Sequence, residues 1–157
     1  MGGGVGLVCA ADVALALPSA RVRLPETGLG ITPAQIMPFV ARRLGASQAR
    51  RLAVTGGELD AARARELGLV HELVPDEGAL AAALDALVAQ AERGAPGALA
   101  ATKRLVLEVT GGDLDGVLDR AASGFAAAAR GEEGVEGMMA FLEKRAPRWA
   151  QAGGGAS

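Results

Sequence analysis

Four of the first six residues are glycine, in Gly2-Gly3-Gly4-Val5-Gly6, and a single glutamate, Glu26, follows in "LPETGLG" about one short supersecondary unit later. These are the residues whose types and spacing suit chemistry. Glycines opening a helix bring several backbone N–H groups to its positive end, which suits a phosphate, a carboxylate or a developing oxyanion. A phosphate loop needs Gly-Lys-Ser/Thr next, and Val5-Gly6-Leu7 follows instead. A dinucleotide fingerprint is nearer, with Gly4 and Gly6 as its first glycines and Glu26 at the spacing of a ribose-binding acid; Cys9, however, stands where the third glycine belongs. Without any ligand, the same glycines let a helix pack tightly against a sheet. The residues alone leave these last two readings open.

Other reactive types read more simply. Cys9 is the one cysteine, so no internal disulfide forms; in its apolar run it reads as a small buried hydrophobe in a reducing compartment. His71, the one histidine, has no neighbouring Cys, His or Ser partner and reads as a solvated or core histidine, and no metal-ligand spacing occurs. Asp12 reads as fixing local backbone. The Arg42-Arg43 and Arg50-Arg51 pairs read as solvated helix faces.

The elements that must hold these residues follow from pattern. A glycine loop runs into a short apolar helix over Gly2 to Ala11. Val13–Leu17 and Arg21–Leu24 read as two short strands flanking a Pro18-Ser19 turn, and Pro25 to Gly30 as loop. Helical spacing of Ile36, Phe39, Val40 and Leu44 ends at Gly45, and a second helix, capped by Ser47, ends at Gly56-Gly57. Asp60 caps a short helix to Leu67, Gly68 stops it, and Leu69–Val74 is extended. Helices are then predicted over Glu77–Arg93, Gly97–Val109, Asp113–Ala129 and Glu132 to about Arg145, with Phe125 as a core aromatic and Lys144-Arg145 as a basic helix end. Two short strands do not make a stable sheet alone. The order therefore reads as the later part of an α/β arrangement, with further chain expected upstream.

Composition sets the bounds. A chain of 157 residues, 50% hydrophobic, can bury one sizeable core. Its net charge of −2, from 16 basic and 18 acidic residues, and 3% aromatic content argue against nucleic acid as a partner. The apolar start has no Lys or Arg before it, is interrupted by Asp12 and is too short to span a bilayer, so neither a secretion signal nor a membrane span is expected. A cytoplasmic location is expected, and the richness in Ala, Gly and Arg reads as GC-rich bacterial codon bias.

Read together, "GGGVGLVCAADVALA", "LPETGLGITPAQ", "RRLG", "AVTGGELDAARARELGLVHELVP" and "EGVEGMMAFLEKRAP" resemble the enoyl-CoA hydratase/isomerase, or crotonase, family, and correspond to the C-terminal portion of a typical member. The resemblance implies an α/β, truncated crotonase (ClpP/crotonase-like) fold. Residues 1–150 would form that portion of one domain, with 1–75 the part of the core bearing the site loop, 76–150 a helical trimerisation region and 151–157 a disordered tail. It also implies roles. The Gly3 N–H, with Gly2 beside it, would be half of an oxyanion hole for a thioester carbonyl, Pro25 would line the substrate, and Glu26 would be the catalytic carboxylate. The family's other glutamate falls at Gly6, where glycine neither orients water nor accepts a proton, and the smaller residue there is expected to leave room for a branch on the β-carbon. Phe125, Phe141 and Lys144 match positions that touch CoA or acyl groups, often across a subunit boundary.

Coenzyme A would come as part of the acyl-CoA substrate, with no separate cofactor and no metal. A homotrimer or hexamer is implied. "GGGVGLV" with "LPETGLGITPAQI" is most similar to hydratases of 3-branched, glutaconyl-type CoA esters, including isohexenylglutaconyl-CoA hydratases. The alternatives are a Δ3,Δ2-enoyl-CoA isomerase, for which one carboxylate is sufficient, and a catalytically inactive fragment.

Overall fold

Small residues after the opening glycines wind into α1 (Gly3–Ala10), whose end is closed by the Ala11 N–H donating to the Leu7 carbonyl at 3.1 Å. The computed structural model describes residues 2–109 and 113–151. It divides into two compact units, Met1–Leu84 and Asp85–Ser157.

In the first unit four short strands pair in a way the sequence pattern did not reveal. β1 (Leu15–Ala16) and β2 (Arg21–Arg23) do flank a turn, closed by Ala20 N–H on the Leu17 carbonyl, yet they do not pair with each other. β1 lies parallel to β4 (Glu72–Leu73), with Leu15 opposite Glu72, while β2 runs antiparallel to β3 (Glu58–Asp60), with Val22 opposite Leu59. Parallel neighbours need a long crossover, and the intervening helices supply it. The extended stretch expected over Leu69–Val74 thus shrinks to two residues. His71 holds the β1 end in place: its N–H donates to the Ala14 carbonyl at 2.8 Å and its Nδ1 accepts from the Ala14 N–H at 2.9 Å.

α2 (Met37–Thr55) and α3 (Ala61–Glu66) lie wholly within this unit. α2 is broken at Gly45, whose φ of 75° and ψ of 154° are not helical. Helical bonding resumes at once, so Ser47 lies inside the second half and is not its cap. Gly56, at φ 59°, ends the helix with its N–H on the Leu52 carbonyl at 3.0 Å. The cap expected at Asp60 is present: its carboxylate accepts from the Arg63 N–H at 2.7 Å and starts α3 (Ala61–Glu66). Between these elements sits the core, in which Leu24, Leu52, Leu69 and Val40 are fully buried.

The chain continues through α4 (Glu77–Ala91), which ends in the second unit, into α5 (Pro96–Val109), α6 (Leu114–Arg130), α7 (Glu132–Leu142) and α8 (Arg148–Gln151). α8 has no counterpart in the sequence pattern, and Gln151 belongs to it; residues 152–157 of the expected tail lie outside the described residues. Carboxylates organise the helix starts. Asp113 accepts from the Gly116 N–H at 3.2 Å at the head of α6, and Glu133 of α7 reaches the head of α5, accepting from the Gly97 and Ala98 N–H groups at 2.9 and 3.1 Å.

Glu136 is the hub of the last turn. Its two oxygens take the Arg145 fork at 2.7 and 3.1 Å and the Arg148 N–H at 2.9 Å. The Arg145 bond, then the Arg148 amide and both guanidinium charges, hold the Glu136 carboxyl at about 2 against an ordinary 4.5. That clasp closes a turn in which Lys144 adopts a left-handed conformation, φ 53°, and the Arg145 N–H returns to the Ala140 carbonyl at 3.0 Å. Phe125 is not a core aromatic as its helical spacing suggested, for 77% of it is exposed. Among the described residues no helix is long and apolar enough to cross a membrane.

Candidate active site

Glu26 is held by the backbone on both sides. Pro25 starts a 3-10 turn over Glu26–Leu29, Gly30 ends it at φ 75°, and the Ile31 N–H donates to the Glu26 carbonyl at 3.1 Å. The Thr27 hydroxyl ties this turn to α2, donating to the Ala53 carbonyl at 2.9 Å, while Leu24 anchors the preceding strand in the core. The segment read as loop is thus a fixed platform.

The platform faces the glycines. A Cβ on Gly2 would lie 3.2 Å from Glu26 Oε1, and Gly2 also has a φ of 54° that side chains rarely adopt. Its N–H donates to the Arg23 carbonyl at 3.2 Å, which pins the head of α1 beside the end of β2. Gly2 is therefore glycine on two grounds, backbone conformation and carboxylate proximity. The other carboxylate oxygen, Glu26 Oε2, is buried and has no hydrogen-bond partner among the described residues. Buried carboxylate oxygens are normally satisfied, so an orphan beside a glycine loop marks a place where a donor or a reacting proton fits.

Among the described residues no side chain caps the head of α1. The first N–H groups of a helix have no intrahelical acceptor, and Gly3 is its first residue, exposed, with open space where a Cβ would stand. An N–H there is free of steric cover and lies at the positive end of the helix dipole.

Gly6 behaves differently from expectation. It is buried, and a Cβ added to it would collide with Ile36 Cγ2 and stand 2.9 Å from Ile36 Cβ. The space expected from the small residue at position 6 is filled by Ile36. Arg43, expected on a solvated face, is also recruited inward: its Nε donates to the Leu69 carbonyl at 3.3 Å and its Nη2 to the Val8 carbonyl at 3.4 Å near the end of α1. Burial pushes the half-buried Cys9 thiol up, with Arg43 pulling it the other way.

The structure therefore brings Gly2, Gly3, Pro25 and Glu26 together around one head-of-helix site, with Gly6 further along the same helix. Phe125, Phe141 and Lys144 belong to the second unit. Phe141 is 84% exposed, and its carbonyl accepts from the Lys144 N–H at 3.2 Å. The spacing of Ile36 marks it only as part of a helix face; nothing in one sequence ties a β-branched residue at 36 to a missing side chain at 6.

A family model described as enoyl-CoA hydratase/isomerase matches residues 1–152. The chain belongs to the enoyl-CoA hydratase/isomerase family. Its fold is the crotonase fold: the solved structure of an enoyl-CoA hydratase/isomerase from Marinobacter aquaeolei matches at a TM-score of 0.91 and 49% identity, covering 96% of this chain and 57% of that one. Pseudomonas aeruginosa AtuE matches at a TM-score of 0.91 and 53% identity, over 96% of this chain and 58% of its own. Among curated relatives, the 2,3-dehydroadipyl-CoA hydratase of Escherichia coli is 34% identical over 148 residues, 94% of this chain and 58% of the relative. The chain thus spans little more than half the length of each of these three proteins.

Proposed function

We propose that this chain carries the acyl site of an enoyl-CoA hydratase acting on a 2-enoyl-CoA thioester. The observation that carries this reading is the buried, unpartnered Oε2 of Glu26 beside the uncapped glycine head of α1. In the proposed reaction the thioester oxygen accepts from the Gly3 N–H. Glu26 takes a proton from water as the water oxygen bonds to the β-carbon. The π pair of the C2=C3 bond moves towards the carbonyl, and the N–H stabilises the enolate charge that develops only then. Glu26 returns the proton to the α-carbon, so water is added across the double bond and the carboxylate is regenerated.

The thioester is itself the electron sink, so the reaction as written calls for no metal and no cofactor beyond the CoA of its substrate. Finer features are proposed on the motif pattern: a 3-branched, glutaconyl-type acyl group, from "GGGVGLV" with "LPETGLGITPAQI", and CoA or acyl contacts from Phe125, Phe141 and Lys144. A cytoplasmic homotrimer or hexamer is the assembly proposed, supported by the apolar side chains exposed on α6 and α7.

The filled space at Gly6 favours a second reading, Δ3,Δ2-enoyl-CoA isomerisation, in which Glu26 takes a proton from C2 of a 3-enoyl thioester and returns it to C4. Turnover of crotonyl-CoA, 3-methylglutaconyl-CoA and a 3-enoyl-CoA separates the two. Hydration of either 2-enoyl ester is expected. Double-bond migration without hydration selects the isomerase, and silence on all three with no CoA-ester binding leaves a non-catalytic chain.

A further inference from the structure

Ile36 occupies the place a side chain at position 6 would take, and it is not free to leave. It is the N-cap residue of α2, with φ −98° and ψ −21°. Its N–H donates to the Pro33 carbonyl at 3.1 Å and its own carbonyl accepts from the Phe39 and Val40 N–H groups, both at 3.0 Å. Its side chain packs on the cluster that contains Val5 and Val40. β-Branching further narrows its χ1 choices. Gly6 comes four residues after Gly2, about 6 Å of helical rise, and it is Gly2 whose missing Cβ borders the Glu26 carboxylate. Methyl groups therefore cover α1 about one turn beyond the carboxylate.

We propose that Ile36 is the specificity-determining residue of the acyl site, setting how large a substituent the β-carbon of the thioester carries. The inference rests on the proposed function. The Ile36 methyl that faces Gly6 offers no hydrogen bond, so the side of the β-carbon turned towards it takes a hydrocarbon branch, and it leaves all proton transfer to Glu26. Its position also shows what fills the space of the side chain absent at 6: the volume lost at one residue is supplied by the other.

Two measurements test this. In a stability cycle of G6A and I36A, the methyl added at position 6 is expected to lower Tm in the native background and to lower it less in the I36A background, where the Cγ2 collision is gone and only the 2.9 Å approach to Cβ remains; additive effects overturn the shared volume and the proposal with it. In a binding comparison, hexanoyl-CoA and 3-propylhexanoyl-CoA, both saturated and inert to hydration, are titrated into the native chain, I36L and I36A. The branched-to-straight affinity ratio is expected to rise about tenfold or more in I36A and less in I36L, which loses the β-branch and keeps the volume, and I36L carries the test if I36A does not fold. An unchanged ratio overturns the inference and leaves the proposed function standing. Failure of the native chain to bind either ester overturns both.

Discussion

A single carboxylate and a single N–H carry the proposed chemistry, and each can be removed with little disturbance elsewhere. Glu26→Gln keeps the shape of the side chain and removes its basicity; hydration of crotonyl-CoA is expected to fall by about 10²–10⁴-fold, read from initial rates, and a full rate would remove Glu26 from its role. Gly3→Pro is the matching test of the N–H. Proline is tolerated at the first position of a helix, where its absent N–H had no helical partner, and Gly3 holds that position in α1. A loss of about 10²–10³ in kcat with Tm nearly unchanged is expected. Gly2, Gly3, Pro25, Glu26 and Gly6 were nameable only through the family resemblance, since the loop residues by themselves left a dinucleotide site and plain helix packing open. What one turn of helix does to the space around Gly6 was not, because it depends on Ile36, which is remote in sequence and brought there by the way α2 begins.

At the scale of elements, the break in α2 rests on one residue. Gly45 combines a φ of 75° with a ψ of 154°, a region that is essentially closed to residues with a Cβ. Gly45→Ala is expected to destabilise the chain by about 1–3 kcal/mol, measured by urea unfolding, although a Cβ there meets no atom within 4 Å. A neutral result would mean that the break survives without glycine. Local signals of this kind were legible: Gly45 as an interruption, Asp60 as a cap, Gly68 as a stop. Pairings were not. β3 is three residues long, and β1 finds β4 across more than fifty residues of chain, so no periodicity within a window reports them. Phe125 failed for a related reason, since helical spacing identifies an apolar stripe and says nothing about what faces it.

Across the whole molecule, burial is unevenly shared. The fully buried Leu24, Leu52, Leu69 and Val40 all belong to the first unit, whereas among the described residues of the second only Ala95, Val117 and Ala140 are buried apolar side chains. Polar clasps therefore matter more in the second unit, and they bring pH dependence. Glu136 has a folded pKa of about 2, below its ordinary 4.5, so its contribution to stability is fully present above about pH 4.5 and is lost as pH falls towards 2. In Glu136→Gln, unfolding midpoints followed by circular dichroism are expected to be lower near neutrality and to vary less over that acid range. The turn this clasp closes also creates a conflict for anyone seeking a sturdier chain. Lys144 sits at a left-handed position where glycine is preferred by about 1 kcal/mol, so a redesign guided by heat resistance would choose Lys144→Gly early. Such a variant is expected to melt higher and, on the proposed CoA contact of Lys144, to hold CoA esters less tightly, having exchanged a cation for backbone ease.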